Sequence, residues 1–293
     1  MSRVFTEGTS SSVAIAASAS INNLAAFTYA AWIFPTAGPD PNLNYSVITS
    51  KDPNTSEIEM CFSSQAPSTN ALVGLGFNNT VDAFSASVDN TIVLNVWQRV
   101  VMTFDFNGDK KFHLYKNGVE VSYRSQTALT GSQFNDSGGN FYVGNGQAND
   151  IFGGSIAGVK LWNTALTALQ VAADYAGTNV LPGNLVDSLT FLTNQGATEP
   201  DVSGNSNVGV ITNAAFSSNN PPVTTMPYSV PDCRTTKPSS ATSRNVNGTL
   251  TYDVQTSSNH AIPPVDSRTA GAPVACGTYP QNSRTPGTFG PGE

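Results

Sequence analysis

WQRVVMTFDFNGDKKFHLYKNGVEV, residues 97–121, carries the architecture of this chain. Apolar and polar side chains alternate through WQRVVMTFDF and again through KFHLY, the period-two signature of half-buried strands. Asn107-Gly108 and Asn117-Gly118 punctuate them, and each dipeptide tolerates the positive φ angles of a type I′ hairpin. Two further segments continue the pattern, FYVGNG at 141–146 and FGGSIAGVKLWNTAL at 152–166. Consecutive antiparallel strands with tight turns are expected throughout.

Working outward, Val13 and Ile15 mark a short strand after EGTSSS. FTYAAWIFP sets Phe27, Tyr29, Ala31 and Ile33 on one face against Thr28, Ala30, Trp32 and Phe34 on the other. A strand apolar on both faces belongs in the centre of a sheet, covered on each side. YSVITSKD, EIEMCFSS, ALVGLGF, VEVSYR and NFYVGNG supply the remaining strands, at a spacing that a two-sheet sandwich produces. One helix is predicted: Thr167 and Gln170 form a T-x-x-Q capping box, Leu166 and Val171 the flanking staple, and ALQVAADYA runs to a stop at Gly177.

Taken in order, the tryptophan strand, LYKNG at 114–118, YVG at 142–144, FGGSIAGVKLWN at 152–163 and the helix resemble the laminin-G-like, concanavalin A-like lectin and glucanase jelly roll. The closing segment NLVDSLTF and DVSGNSNVG resembles that family too, with Asp201, Ser203, Gly204, Asn205 and Asn207 at the matching places. The resemblance covers residues 3–222. It implies an all-β fold, a two-sheet antiparallel jelly-roll sandwich with one short helix, and a function that is mostly carbohydrate binding or packing.

Residues 223–293 read differently, as an extended arm rich in Pro, Ser, Thr and Gly that lacks the apolar content for its own core. Up to residue 220 the chain carries eight Lys and Arg against sixteen Asp and Glu, and beyond it five against four. Within the arm DSRTAG at 266–271 is echoed by NSRTPG at 282–287, and this style of ending resembles the tails of bacteriophage virion proteins.

Composition narrows the function. A net charge of -7 with no basic cluster longer than Lys110-Lys111 argues against nucleic acid. No apolar run approaches the ~20 residues that span a bilayer, so no membrane partner is expected. Glu7 and the Ser/Thr run interrupt the alanine-rich N-terminus, so a signal peptide is not expected and synthesis in a host cytoplasm is. Three cysteines make no disulfide framework. Cys61 is expected to pack as a small apolar residue; a bridge between Cys233 and Cys276 is left open.

Glu57 and Glu59 share a strand face, which would set their carboxylates ~6–7 Å apart, near the separations of glycoside hydrolases. The E-x-D-x-(x)-E pattern of concanavalin A-like glycosidases is absent, however, and Cys61 stands where a third polar residue belongs. A solvated strand face is the expectation. His113 is expected on a strand surface, and neither it nor His260 has a nucleophile patterned around it.

The family resemblance suggests Ca2+ at one rim, with Asp136, Asn149 and Asp150 as candidate ligands, calcium taking six to eight oxygens. Turn geometry alone also accounts for those residues. Sugar binding needs exposed aromatics beside amides or carboxylates. Trp32, Trp97 and Trp162 read as core, which leaves Phe134 and Phe152, with Asn145, Asn149 and Asp150, as a candidate ligand site, and Tyr123 near the same rim. The resulting expectation is a non-enzymatic virion structural protein, a decoration or adhesion module and homo-oligomer displayed on the virion surface, its arm bound to other virion proteins. A lectin recognising host-surface glycans is the alternative, and a glycoside hydrolase the remote one.

Overall fold

Alternation along the strand Ala26–Pro35 sets the layering of the computed structural model. Phe27, Tyr29, Ala31 and Ile33 enter the main core, whereas Thr28, Ala30, Trp32 and Phe34 point the other way. The structure describes residues 1–6, 9–39, 45–52, 57–63, 69–77, 80–144, 152–192 and 196–222. The chain divides into two units, Met1–Pro227 and Tyr228–Glu293. The arm from residue 223, with Cys233, His260 and Cys276, lies outside the described residues, as do Asn145, Asn149 and Asp150.

In chain order the strands are β1 (Ser2–Phe5), β2 (Ser12–Ile15), β3 (Ala26–Pro35), β4 (Tyr45–Asp52), β5 (Ile58–Ser63), β6 (Ala71–Gly76), β7 (Ala83–Ser87), β8 (Gln98–Asp105), β9 (His113–Lys116), β10 (Val119–Glu120), β11 (Tyr123–Thr127), β12 (Asn140–Val143) and β13 (Gly154–Trp162). After helix α1 (Ala168–Tyr175) come β14 (Leu185–Leu189), β15 (Thr198–Glu199), β16 (Gly209–Thr212) and β17 (Ala215–Ser217). They form an eight-stranded sheet ordered β10-β9-β8-β3-β13-β1-β17, with β14 also on β13, and a nine-stranded sheet ordered β11-β7-β6-β5-β4-β12-β2-β16-β15. All pairings within the two sheets are antiparallel.

Between the sheets lies an aromatic core. Phe27 stacks on Phe104 at 5.4 Å, and Tyr29 of one sheet meets Phe141 of the other edge-on at 5.0 Å. Each such buried ring contributes ~1.5–3 kcal/mol of apolar transfer, so the inter-sheet layer dominates stability. A second apolar cluster, Val47, Cys61, Val73, Leu75 and Ala86, occupies the opposite face of the nine-stranded sheet. Cys61 packs there as a small apolar residue, as expected.

Two turn expectations divide. Asn117 and Gly118 have φ of 50° and 81°, the paired positive angles of a type I′ turn. Asn107-Gly108 forms no such turn. There Asp105 Oδ1 accepts from the Asn107 N–H, its carbonyl accepts from the Gly108 and Lys110 N–H groups, and the left-handed residue is Lys110 at φ 61°. The aspartate side chain competes for the local backbone and lengthens the loop. VEVSYR is also not one strand: β10 belongs to the eight-stranded sheet and β11 to the other, so the chain switches layers at Val121-Ser122.

The helix follows its sequence signals. Thr167 Oγ1 accepts from the Gln170 N–H, Gln170 Oε1 accepts from the Thr167 N–H, and the chain turns left-handed at Gly177. Its apolar side rests on the outer face of the eight-stranded sheet, where Ala30, Val101, Tyr115, Trp162, Leu166, Val171 and Val180 form a cluster. No helix among the described residues is long and apolar enough to cross a membrane.

Candidate functional site

The two phenylalanines expected to be exposed at the rim are not. Phe134 is 3% exposed and Phe152 fully buried. Phe134 stacks on Phe112 at 6.3 Å and lies 5.2 Å from Phe104; Phe152 meets Phe5 at 6.4 Å and Phe62 at 6.1 Å, both edge-on. The space for Phe134 comes from Gly76, where a Cβ would lie 2.6 Å from the ring. Both phenylalanines are core, and Tyr123 is half-buried with its hydroxyl bonded to Glu120 and the Leu114 N–H.

Asp136 is also turned inward. One oxygen accepts from the Asn23 N–H, and Asn23 Oδ1 accepts in return from the Asp136 N–H. Burial raises this carboxyl above its ordinary range, against the pull of the Asn23 N–H and of Lys51. Lys51, itself fully buried, points its ammonium into the loop and donates to Asn22 Oδ1 and to the carbonyls of Asp136 and Gly139. The oxygens that a cation would want around Asp136 are thus already gathered about a lysine. Asn149 and Asp150, expected with Asp136 as Ca2+ ligands, lie outside the described residues. Among the described residues no group of three or more His, Cys, Asp or Glu is arranged to hold a metal ion.

Glu59 does not sit on a wet face. It is 5% exposed, flanked across the strands by Ser50 and Leu75, on the side of the sheet that carries the Val47–Cys61–Val73 cluster. Glu57, just before β5, is half-buried. His113 does lie at the surface, its ring nitrogens 2.7 Å from Glu120 and 3.1 Å from Asp109.

Besides the exposed Phe77, two tryptophans that the sequence reading placed in the core, Trp32 and Trp97, reach the surface. Trp162 is buried at 1% and bonds the Val180 carbonyl. Trp32, Phe34 and Trp97 are only partly buried, and with Tyr175 of α1 they form an aromatic path of two ring pairs on the outer face of the eight-stranded sheet. Trp32 and Tyr175 are 5.7 Å apart with planes at 37°; Phe34 and Trp97 are 5.6 Å apart at 50°. Trp32 and Phe34 are alternate residues of β3 and so share a face.

A buried ionic cluster holds one end of this path. Arg99, paired across the strands with Trp32, donates through Nε and Nη2 to Asp174 Oδ2 at 3.1 and 2.7 Å, and through Nη1 to the Gly158 carbonyl at 2.6 Å. Lys160 donates to the other Asp174 oxygen at 2.6 Å. Burial would raise the Asp174 carboxyl, but Arg99 and Lys160 together hold it below its ordinary value. Because Asp174 precedes Tyr175, this cluster orients the tyrosine against Trp32. At the other end Trp97 Nε1 donates to Asn219 Oδ1 at 3.0 Å, and Ser2 Oγ fixes the Asn219 carbonyl at 2.6 Å. The path therefore has ring faces held in place, with the Asn219 amide at one end and the Asp174 ion cluster behind the other.

A signal for this was present in β3. Its outer side carries two small residues, Thr28 and Ala30, and then two large aromatics, Trp32 and Phe34. A helix packs closely over small side chains and is held off by large ones, so small-then-large marks where the cover ends.

The profile of the concanavalin A-like lectin/glucanases superfamily matches residues 7–172. No curated protein gives a significant match. Among solved structures, a candidate carbohydrate-binding protein of Bacteroides ovatus is similar at 16% identity over 73% of this chain, with a TM-score of 0.51; the chain spans 58% of that protein. The heptameric SAP-like pentraxin of Limulus polyphemus is similar at 16% identity, over 72% of this chain and 95% of the pentraxin, with a TM-score of 0.45. Domain 4 of the extracellular arabinanase AbnA of Geobacillus stearothermophilus, solved with arabinotriose, gives 16% identity, 59% and 80% coverage and a TM-score of 0.42.

Proposed function

We propose carbohydrate binding without hydrolysis as the function of this chain, which belongs to the concanavalin A-like lectin/glucanases superfamily. The aromatic path Tyr175–Trp32–Phe34–Trp97 carries the reading. Sugar rings have apolar C–H faces that stack on aromatic side chains, and indole and phenol rings give large contact areas at low conformational cost. The description of the Bacteroides ovatus protein as a candidate carbohydrate binder supports it. The proposal of a non-enzyme rests on the acid next to the path: glycoside hydrolysis uses two carboxylates flanking the bond, and Asp174 is buried and committed to Arg99 and Lys160.

A glycan array probed with the full chain tests this. Trp32→Ala and Trp97→Ala should each weaken binding about 10- to 30-fold, as truncating an aromatic anchor costs ~1.4–2 kcal/mol. Both variants should keep the parent circular dichroism. Undiminished binding by both variants would remove the path from the site.

We also propose that residues 223–293 anchor the domain to a virus particle, where it acts as a surface adhesion module. The composition of the arm and its repeated SRT motif support this. Limited proteolysis of the free protein and of its native assembly is the check. Cleavage beyond residue 222 only in the free protein is expected; equal resistance in both would discard the anchor.

A further inference from the structure

We infer that the ligand of the aromatic path is a single extended polysaccharide chain, bound through up to four successive sugar units. This rests on the carbohydrate-binding reading above and specifies its ligand. The two measured ring pairs are spaced 5.7 and 5.6 Å, close to the repeat of adjacent sugar rings along an extended chain. Trp32 and Phe34, two residues apart on one face of β3, join the pairs, their Cα atoms ~7 Å apart. The path is thus one ring per sugar, four rings long.

Its shape excludes two other kinds of carbohydrate. A monosaccharide or chain end is held by a concave pocket that converges polar groups on one ring. Here the rings lie along the outer face of a sheet, and the polar groups sit at the two ends, the Arg99–Asp174–Lys160 cluster next to Tyr175 and Asn219 beside Trp97. A crystalline polysaccharide surface needs coplanar aromatics. Planes tilted by 37° within one pair and 50° within the other cannot lie on one flat face. A free chain can rotate about each glycosidic bond and follow the tilt.

The flanking interactions keep the rings in place before a ligand arrives. Arg99 and Lys160 hold Asp174, and so the end of α1 that carries Tyr175; Asn219 holds the indole of Trp97. Stacking on preorganised rings loses little side-chain entropy.

The test uses the full chain in affinity electrophoresis against soluble β-glucan, xylan, mannan, arabinan and bacterial-surface polysaccharides. Calorimetry then follows with oligosaccharides of one to six units cut from whichever polymer retards it, beside the same polymer in insoluble form. Affinity should climb with each unit up to about four and then level off, one unit per ring on the path. Trp97→Ala and Trp32→Ala should each bring the plateau forward by one or two units while leaving shorter fragments bound. A monosaccharide that competes as well as the tetramer, or binding confined to the insoluble form, would overturn the extended chain and leave carbohydrate binding standing. Binding indifferent to both substitutions would overturn the path and leave carbohydrate binding standing; no retardation by any polymer would overturn both.

Discussion

Asp187 lies buried on the inner side of β14, opposite Leu161, beside the Asp201 carboxylate. Asp201 accepts from the Ser188 N–H, the Ser203 N–H and hydroxyl, and the Asn207 N–H at 2.7–3.0 Å. Asp187 Oδ1 has no partner. Burial, and then the neighbouring Asp201 charge, push Asp187 up to about 8. The folded chain thus keeps a proton that the unfolded chain releases near pH 4. Between these values the native state binds more protons, so stability falls as pH rises, by at most ~1.4 kcal/mol per unit. Melting followed from pH 4 to 9 should show this decline, and Asp187→Asn should flatten it and melt higher at pH 8. Parallel profiles would sink the assignment. The D-x-S-G-x-x-N motif was legible in the sequence because its bonds are local. The Asp187–Asp201 encounter was not, because β14 and the motif meet only in the fold.

At the scale of elements, α1 has eight residues, too few to be stable alone in water. Two devices hold it: its capping box and the Asp174 cluster. Thr167→Ala should cost ~1 kcal/mol, as loss of an N-cap does. Asp174→Ala should cost more, ~3–5 kcal/mol, because it leaves Arg99 and Lys160 without their shared counter-charge under the helix. Urea unfolding of both variants is the measurement, and equal losses would mean that the ion cluster adds nothing beyond the cap. The cap was readable from residues three apart. The ion cluster joins β8, β13 and α1, residues up to 75 positions apart, and no local pattern announces it. The hairpins divide on the same ground: Asn117-Gly118 had no competitor for its backbone, whereas Asp105 took over the Asn107-Gly108 turn.

Across the whole molecule, two packed sheets leave ends where loops must satisfy their own polar groups. At one end Lys51 serves as an internal cation for the Asp136 loop. The melting temperature of the full chain should therefore be unchanged by EDTA or by added Ca2+, since a cation that binds only the native state would raise it. A rise of several degrees with Ca2+ would show a site formed by other loop residues.

Side-chain alternation and turn residues by themselves determined most of the strands and the helix, though not β7 or the break within VEVSYR, because these depend on neighbours within a few positions. Which faces are covered was decided only by the tertiary structure. Ten residues of β3 extend ~33 Å, while eight residues of α1 reach ~12 Å, so the helix and the segment before it cover Ala30 and Thr28 and leave Trp32 and Phe34 in reach of solvent. Phe134 and Phe152, in segments that looked like surface loops, fill space between sheets that are distant in sequence. Burial depends on what packs above a residue, and that neighbour comes from elsewhere in the chain.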